Sequence, residues 1–341
     1  MSTHSILTRC GWLDLEQLRG SDILVTGGTG LIGFNVLREL AALRDEYGLR
    51  LHALVRSESR ARERFSSFLD RVNLIEGDVC REIWLEGKLD YIIHGASVTS
   101  SRTFVDQPVE TIMTSVLGTR NLLELARSKQ VRSMVYLSSM EVYGSPTEQK
   151  VLTEADVGYL DPMQLRSSYP QSKRTCESMC LAYSREYGIP VKVIRLAQTF
   201  GPGIPATDRR VIVEFLNSAI AGETIRIKAS GDSSRMYLYT DDAVTGILTV
   251  LLKGEDGLAY NLANRESYCS IRELAHTVQA LFGSRGQVLT NTGTPEERRA
   301  YPPDSYLYLD TSRVENLGWM AQYDLENSLR MLMRYMEGNS Q

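Results

Sequence analysis

Short apolar runs alternate with longer amphipathic stretches through most of the chain. Asp22–Thr26 (DILVT), Leu51–Val55 (LHALV), VNLIEGD, YIIHGAS, SMVYLSS and Val191–Ala197 (VKVIRLA) lack strict polar alternation. Runs of that kind suit strands covered on both faces. Helical periodicity fills Leu31 to Tyr47, Val109 to Lys129 and Tyr169 to Tyr187, and a short amphipathic start, Trp12 to Leu18, precedes the first strand. Repeated strand–helix units predict an α/β fold with a doubly wound parallel sheet and right-handed crossovers. Past Gly201 the pattern breaks into the Gly- and Pro-rich GPGIPATDRR and then irregular fragments. A smaller C-terminal substrate-binding lobe is expected there. Residues 20–200 with about 236–262 would form the larger unit, and about 201–235 with 263–335 the smaller.

Composition narrows the possibilities. The 341 residues suffice for one large domain or two smaller ones. A net charge of -4 gives no electrostatic reason to expect a nucleic-acid partner. The 5 cysteines are scattered and odd in number, which argues for a reducing compartment without a disulfide framework. Cys176 and Cys180, at helical spacing, read as small apolar side chains, and no metal cluster is evident. No apolar run approaches the roughly 20 residues that span a bilayer, and the N-terminus has no signal-peptide core. No membrane partner and a cytoplasmic location are expected.

Candidate chemistry begins at VTGGTGLIG, where Gly27, Gly30 and Gly33 join the first strand to the first helix. Glycines at this spacing let the backbone approach a pyrophosphate, and the helix N-terminus supplies free N–H groups to the anion. The larger unit therefore reads as a Rossmann-like NAD(P)-binding domain. The second strand ends in Val55-Arg56-Ser57, without the acid that would bind a ribose 2′-OH. Arg56 could pair with a 2′-phosphate, so NADP is favoured over NAD. Asp78, after the third strand, is placed to hydrogen-bond the adenine. The cofactor-facing positions are Gly27, Gly30, Leu31, Ile32, Gly33, Arg56, Asp78, Val79, Ala96 and Lys173.

YPQSK places Tyr169 and Lys173 at i, i+4, on one face of a helix. A phenol has an ordinary pKa near 10. A neighbouring ammonium and a positively charged nicotinamide would favour the phenolate and bring Tyr169 into range as a proton acceptor. Together with Ser138-Ser139 at the end of the fifth strand, these motifs make the chain resemble an extended short-chain dehydrogenase/reductase of the NAD-dependent epimerase/dehydratase family. TGGTGLIG, GDV, IIHGAS, GTRNLLELA, LSSMEVYG, YPQSK, RLAQTFGPG, SSRMYLYTDDAV and YLDTSRVENLGW carry the resemblance.

That resemblance implies hydride transfer on a nucleoside-diphosphate sugar, with a transient 4-keto intermediate. It implies that Ser139 bonds the reacting sugar oxygen beside Tyr169, that Lys173 holds the nicotinamide ribose, and that Glu141 is the base of a proton step at C5. Met140 stands where hexose 4,6-dehydratases often carry an acid, and a thioether cannot donate a proton. Ser115 and Gln198 stand where relatives often have asparagine, which points to an unusual sugar. Arg235 matches the arginine that grips the diphosphate, with Arg209 and Arg210 in the loop before it, and His94 reads as a packing residue. Met140, Gln198 and Arg235 join Ser139 as substrate-facing positions.

Recycling of the hydride, as in an epimerase, dehydratase or decarboxylase, is the leading expectation. Net reduction of a keto-sugar or of a non-sugar carbonyl by NADPH, and a non-catalytic dinucleotide-binding role, are the alternatives. Relatives dimerise through a four-helix bundle; here Val116, Leu123, Met179 and Tyr183 would supply part of that contact.

Overall fold

The computed structural model describes residues 5–205, 207–283, 286–294 and 304–338. Its centre is a parallel sheet of β1 (Asp22–Thr26), β2 (Arg50–Val55), β3 (Val72–Glu76), β4 (Tyr91–His94), β5 (Ser133–Ser139), β6 (Val191–Leu196) and β7 (Ala259–Leu262). The spatial order is β7-β6-β5-β4-β1-β2-β3. The order in which successive strands are laid down reverses between the parallel neighbours β1 and β4, which opens a crevice at their C-terminal ends. The six apolar runs of the sequence become β1 to β6, while β7 was absorbed in the larger unit without being read as a strand.

Helices α1 (Leu31–Tyr47) and α4 (Thr240–Lys253) cover one face. The other face is covered by α2 (Pro108–Lys129) and α3 (Ser168–Tyr187). β1 shows why polar alternation is missing: Ile23 and Val25 enter the apolar cluster on one side and Leu24 the cluster on the other. The periodicity predicts both ends of α1, and α2 and α3 each start one residue earlier than read. For α2 the extra residue is Pro108, whose fixed φ suits a first helical turn. The amphipathic start folds as a 3-10 turn over Leu15–Leu18, and with Leu7 and Leu13 it packs into the α1 side of the core. The larger unit therefore draws on residues ahead of position 20.

A third apolar cluster lies beyond the sheet. Helices Val211–Ile220, Ile271–Phe282 and Leu325–Gly338 contribute Leu216, Leu274 and Leu332 to it. A capping box between Ser270 and Glu273 starts the second of these helices. Strand Gln198–Phe200 pairs with Tyr237–Tyr239, and Ser234–Arg235 lies between Cys269–Ser270 and Tyr306–Leu309. Among the described residues no helix is long and apolar enough to cross a membrane.

A partly buried polar network fixes the C-terminal ends of β5 and β6. Arg195 of β6 pairs with Glu177 of α3 at 2.8 Å, and its guanidinium also donates to the Tyr143 hydroxyl at 2.9 Å and the Glu154 carbonyl at 3.0 Å. Ser138 of β5 donates to the same glutamate at 2.6 Å, and Tyr143 donates to Asn261 of β7 at 2.7 Å. Removing one member of such a partly buried pair leaves the other charge uncompensated. Arg195→Met should therefore lower the unfolding free energy by about 3 kcal/mol in urea titration. A loss under about 1 kcal/mol would show that the network holds nothing in place.

Candidate active site

The glycine loop sits where β1 and β4 part. Gly27 has φ +73, and a Cβ there would lie 2.7 Å from the Gly95 carbonyl carbon. A Cβ on Gly33 would collide with the Gly27 carbonyl. The loop thus needs glycine at both positions, for a left-handed turn and for close packing of the first helical turn. Gly30 is the N-cap of α1 and offers no side-chain cap. The first N–H groups of α1, at Leu31, Ile32 and Gly33, are therefore left without a side-chain cap and could bond an anion.

Arg56 is exposed just past β2. Beside it, Glu76 at the end of β3 accepts the Glu58 N–H at 3.2 Å, so the ribose corner holds a carboxylate from the neighbouring strand. Asp78 accepts the Cys80 N–H at 2.9 Å and closes the turn after β3, and Val79 packs against Gly118 of α2. Ala96 donates its N–H to Thr26 Oγ1 at 3.2 Å. The same Thr26 oxygen lies 2.7 Å from His94 Nδ1, and His94 Nε2 lies 3.3 Å from Thr119 Oγ1. Burial, aided by the Lys173 charge, pushes the His94 imidazole down to about 3. It is buried between β1 and α2, with Thr26 and Thr119 on its two nitrogens.

The dinucleotide crevice and the smaller lobe are tied together. Asn35 Nδ2 donates to Leu31 O at 2.8 Å and across to Pro202 O at 2.9 Å. Arg64 donates to Gly203 O at 2.7 Å while its guanidinium lies 4.1 Å from the Phe34 ring centre. Neither Asn35 nor Arg64 stood out in the sequence, since nothing local marks a contact to a loop more than a hundred residues away.

Ser139, Glu141, Tyr169 and Lys173 gather at the end of β5. Ser139 starts a 3-10 turn, Met140–Tyr143, and its Oγ accepts the Glu141 N–H at 3.2 Å. That bond leaves its hydroxyl proton for another acceptor. Lys173 is buried and donates to the Leu137 carbonyl at 2.7 Å. Desolvation pulls its ammonium down to about 8. For Tyr169 the sequence expectation joined the lysine to a positively charged nicotinamide, and the protein's own groups act on its phenol in the other direction. Burial first, and then the Glu141 charge, push it well above its ordinary value, against smaller opposing effects of Ser139 and Arg166. Lys173 Nζ is 5.7 Å from the Tyr169 ring centre, and closer, at 4.8 Å, to the Tyr136 ring. The protein alone keeps Tyr169 a neutral phenol.

Two further residues complete the cluster. Arg166 pairs with Glu141 at 2.8 Å and lies 4.8 Å from the Phe104 ring centre. Phe104 stacks on Tyr169 with centroids 4.2 Å apart and planes 8° from parallel. The sequence reading missed both. Arg166 lies three residues before Tyr169, within reach as a signal; Phe104 comes from the short helix Ser101–Asp106 after β4 and is joined to Tyr169 only by the fold.

Other expectations shift. Met140 is 5% exposed and belongs to the apolar core under the turn. Gln198 starts the short strand beside Tyr237. Arg210 is pinned by Asp208 and donates to the Thr199 carbonyl at 2.6 Å, so it shapes its own loop, whereas Arg209 is exposed. Arg235 presents a buried Nε with no partner among the described residues. An orphaned guanidinium N–H is what an incoming phosphate oxygen would satisfy. Of the helix contact positions, Leu123 is fully buried in the core and Tyr183 donates to Glu124 at 2.6 Å.

With this geometry in view, comparison with known proteins is direct. The model of the NAD dependent epimerase/dehydratase family matches residues 23–263. The chain belongs to that family, and it is an enzyme of the extended short-chain dehydrogenase/reductase type. It is 30% identical over 313 residues to UDP-glucuronic acid decarboxylase 1 of Xenopus tropicalis, covering 92% of this chain and 71% of that protein. UDP-glucuronic acid decarboxylase 6 of Arabidopsis thaliana is 30% identical over 311 residues, 91% of this chain and 87% of that one. The fold matches UDP-glucose 4-epimerase of Thermotoga maritima, solved with UDP-glucose, at a TM-score of 0.81 and 22% identity, covering 94% and 100% of the two chains. It also matches a dTDP-glucose 4,6-dehydratase of Streptomyces venezuelae, solved with NAD, at a TM-score of 0.76 and 25% identity, covering 93% and 97%.

The His94 environment generates a test. An imidazole lowered by burial disfavours protonation only in the folded state, so its contribution is full above the ordinary histidine pKa near 6.5 and fades as pH falls from there toward about 3. The His94 ring resonances should stay fixed from pH 8 to pH 5 in NMR titration. A midpoint near 6.5 would mean an open, hydrated ring.

Proposed function

We propose that this enzyme decarboxylates a uridine-diphosphate hexuronate, with NAD+ held as a recycled oxidant. The observation that carries the reading is Arg166, a cation beside Glu141 and Tyr169, in a site whose elimination-acid position is a core methionine. A C4 ketone makes a C6 carboxylate a β-keto acid, which loses CO2 with no acid to expel a leaving group. Water elimination would need such an acid, and Met140 cannot serve. The decarboxylase relatives point the same way.

The residues present fit the dinucleotide: an uncapped helix start behind close-packed glycines, and a buried lysine at the crevice floor. Bound NAD+ would supply a reversible hydride acceptor at C4 of the sugar and a positive ring beside Lys173. Tyr169, with its phenol lowered by that charge and the Lys173 ammonium, would accept the O4 proton. Ser139 donates its free hydroxyl proton to the same oxygen. Arg235 takes the diphosphate. Arg166 exchanges Glu141 for the substrate carboxylate and sets the C5–C6 bond across the plane of the ketone. Glu141, released, relays a solvent proton to C5 after CO2 departs. In this reading residues 20–200 with 236–262 carry the dinucleotide and the remaining C-terminal segments the sugar nucleotide. Of the latter, residues 295–303 lie outside the described residues.

Incubated with UDP-glucuronic acid in D2O, the protein should release CO2 and give a UDP-pentose with one deuterium at C5. Arg166→Gln should lower kcat/KM by about 100-fold, the scale of a lost charged hydrogen bond. A product that keeps C6, whether a 4-epimer or a 6-deoxy-4-keto sugar, would overturn the reading.

For the cofactor, Arg56 favoured NADP, while Glu76 beside it and the NAD of the solved relative support NAD. Mass spectrometry of nucleotide released on denaturation should find NAD+. NADP+ would restore the Arg56 reading, and an empty site that takes up NADPH would mark a net reductase. A homodimer through α2 and α3 is supported by Val109, Ile112, Met113, Leu181 and Tyr187, which are exposed on those helices.

A further inference from the structure

Under the crevice Lys173 meets more than its tyrosine. Its Nζ lies 4.8 Å from the centre of the Tyr136 ring, and Tyr136 is 1% exposed on β5. The phenol oxygen of Tyr136 is buried without a strong hydrogen-bond partner among the described residues; the Cys176 sulfur beside it offers only a weak one. So weak a bond does not explain an aromatic residue here. The ring itself does have a task. Its negative face is turned to an ammonium that water cannot reach.

We propose that Tyr136 is a positioning residue for catalysis: its ring is the platform that keeps the Lys173 side chain charged and aimed into the crevice. This goes beyond the decarboxylase reading and rests only on the placement of Lys173. Every other charged or titratable group near the lysine is accounted for. On its own helix stand Tyr169, Cys176, Glu177 and Cys180; β4 brings His94, held neutral; β6 brings Arg195, which is already paired with Glu177. Cys176 donates its thiol to the Ser115 carbonyl at 3.2 Å. Glu177 is committed to Arg195 and Ser138. Burial pulls Lys173 toward about 8, near the pH at which it must stay charged. Among the described residues the direct bond to its Nζ is to the Leu137 carbonyl at 2.7 Å, and the Tyr136 face lies beside it at 4.8 Å.

The test reads the lysine directly, without substrate. Protein labelled at lysine Cε is titrated by NMR, with the Lys173 signal assigned by Lys173→Met. Tyr136→Phe keeps the ring face and should keep the wild-type midpoint. Tyr136→Leu should move the midpoint down by about one pH unit, from the size of a desolvated cation–π contact. Trifluorophenylalanine at position 136 keeps the aromatic shape and drains its negative face, so it should move the midpoint in the same direction even if the leucine variant folds poorly. Equal midpoints in the phenylalanine and trifluorophenylalanine proteins would overturn the proposal, as would a lowered midpoint in Tyr136→Phe. Failure to turn over UDP-glucuronic acid would sink the decarboxylase reading and leave this titration untouched.

Discussion

The Glu177–Arg195 ion pair is the constraint on which the site depends. It joins α3, which carries Tyr169 and Lys173, to β6, and through Ser138 and Tyr143 it also holds β5 and the turn that carries Ser139 and Glu141. Four groups from three elements must meet within a few ångströms. Backbone hydrogen bonds fix each strand in the sheet but say little about how a helix lies across it. A partly buried bidentate pair with further hydrogen bonds has one good geometry. Arg174 adds to it by gripping the Val142 carbonyl at 2.8 Å and the Gly158 carbonyl at 2.6 Å.

On this frame the electrostatics of the crevice make sense as a set. Burial opposes every charge, so the phenol stays protonated, the imidazole stays neutral and the ammonium is weakened. An empty crevice is therefore close to inert. The charge of an oxidised nicotinamide changes that balance most at the groups nearest to it. Reactivity is thus conferred by the bound dinucleotide on residues that are otherwise kept quiet.

Much of this was legible in the sequence because local signals are strong where the backbone is constrained. VTGGTGLIG fixes a turn that only glycine can make, and the apolar runs mark strands buried on both faces. Tyr169 and Lys173 are read from one helical turn. Contacts between distant segments left no such trace. Phe104 on Tyr169, Asn35 on Pro202 and Arg195 on Glu177 depend on the packing of whole elements. Spacing likewise reveals the lysine beside Tyr169 but not the burial that opposes it. Met140 was read as facing the sugar, since a motif position gives no side-chain direction, and the 3-10 turn sends it into the core.

The bond from Asn35 to Pro202, and the bond to Gly203 from Arg64, which packs on the Phe34 ring, tie the start of α1 to the loop that leads into the smaller lobe. On the decarboxylase reading a dinucleotide lodged beside that seam would be kept from one turnover to the next. An oxidant that stays aboard gives the molecule a memory. If a keto-sugar escaped before its hydride was returned, the nucleotide would remain reduced, and the next sugar would meet a site with nothing to accept its electrons. Each such misfire would silence one copy until a stray keto-sugar reset it. Fidelity in holding the intermediate then matters more to the working lifetime of the protein than the speed of any single step.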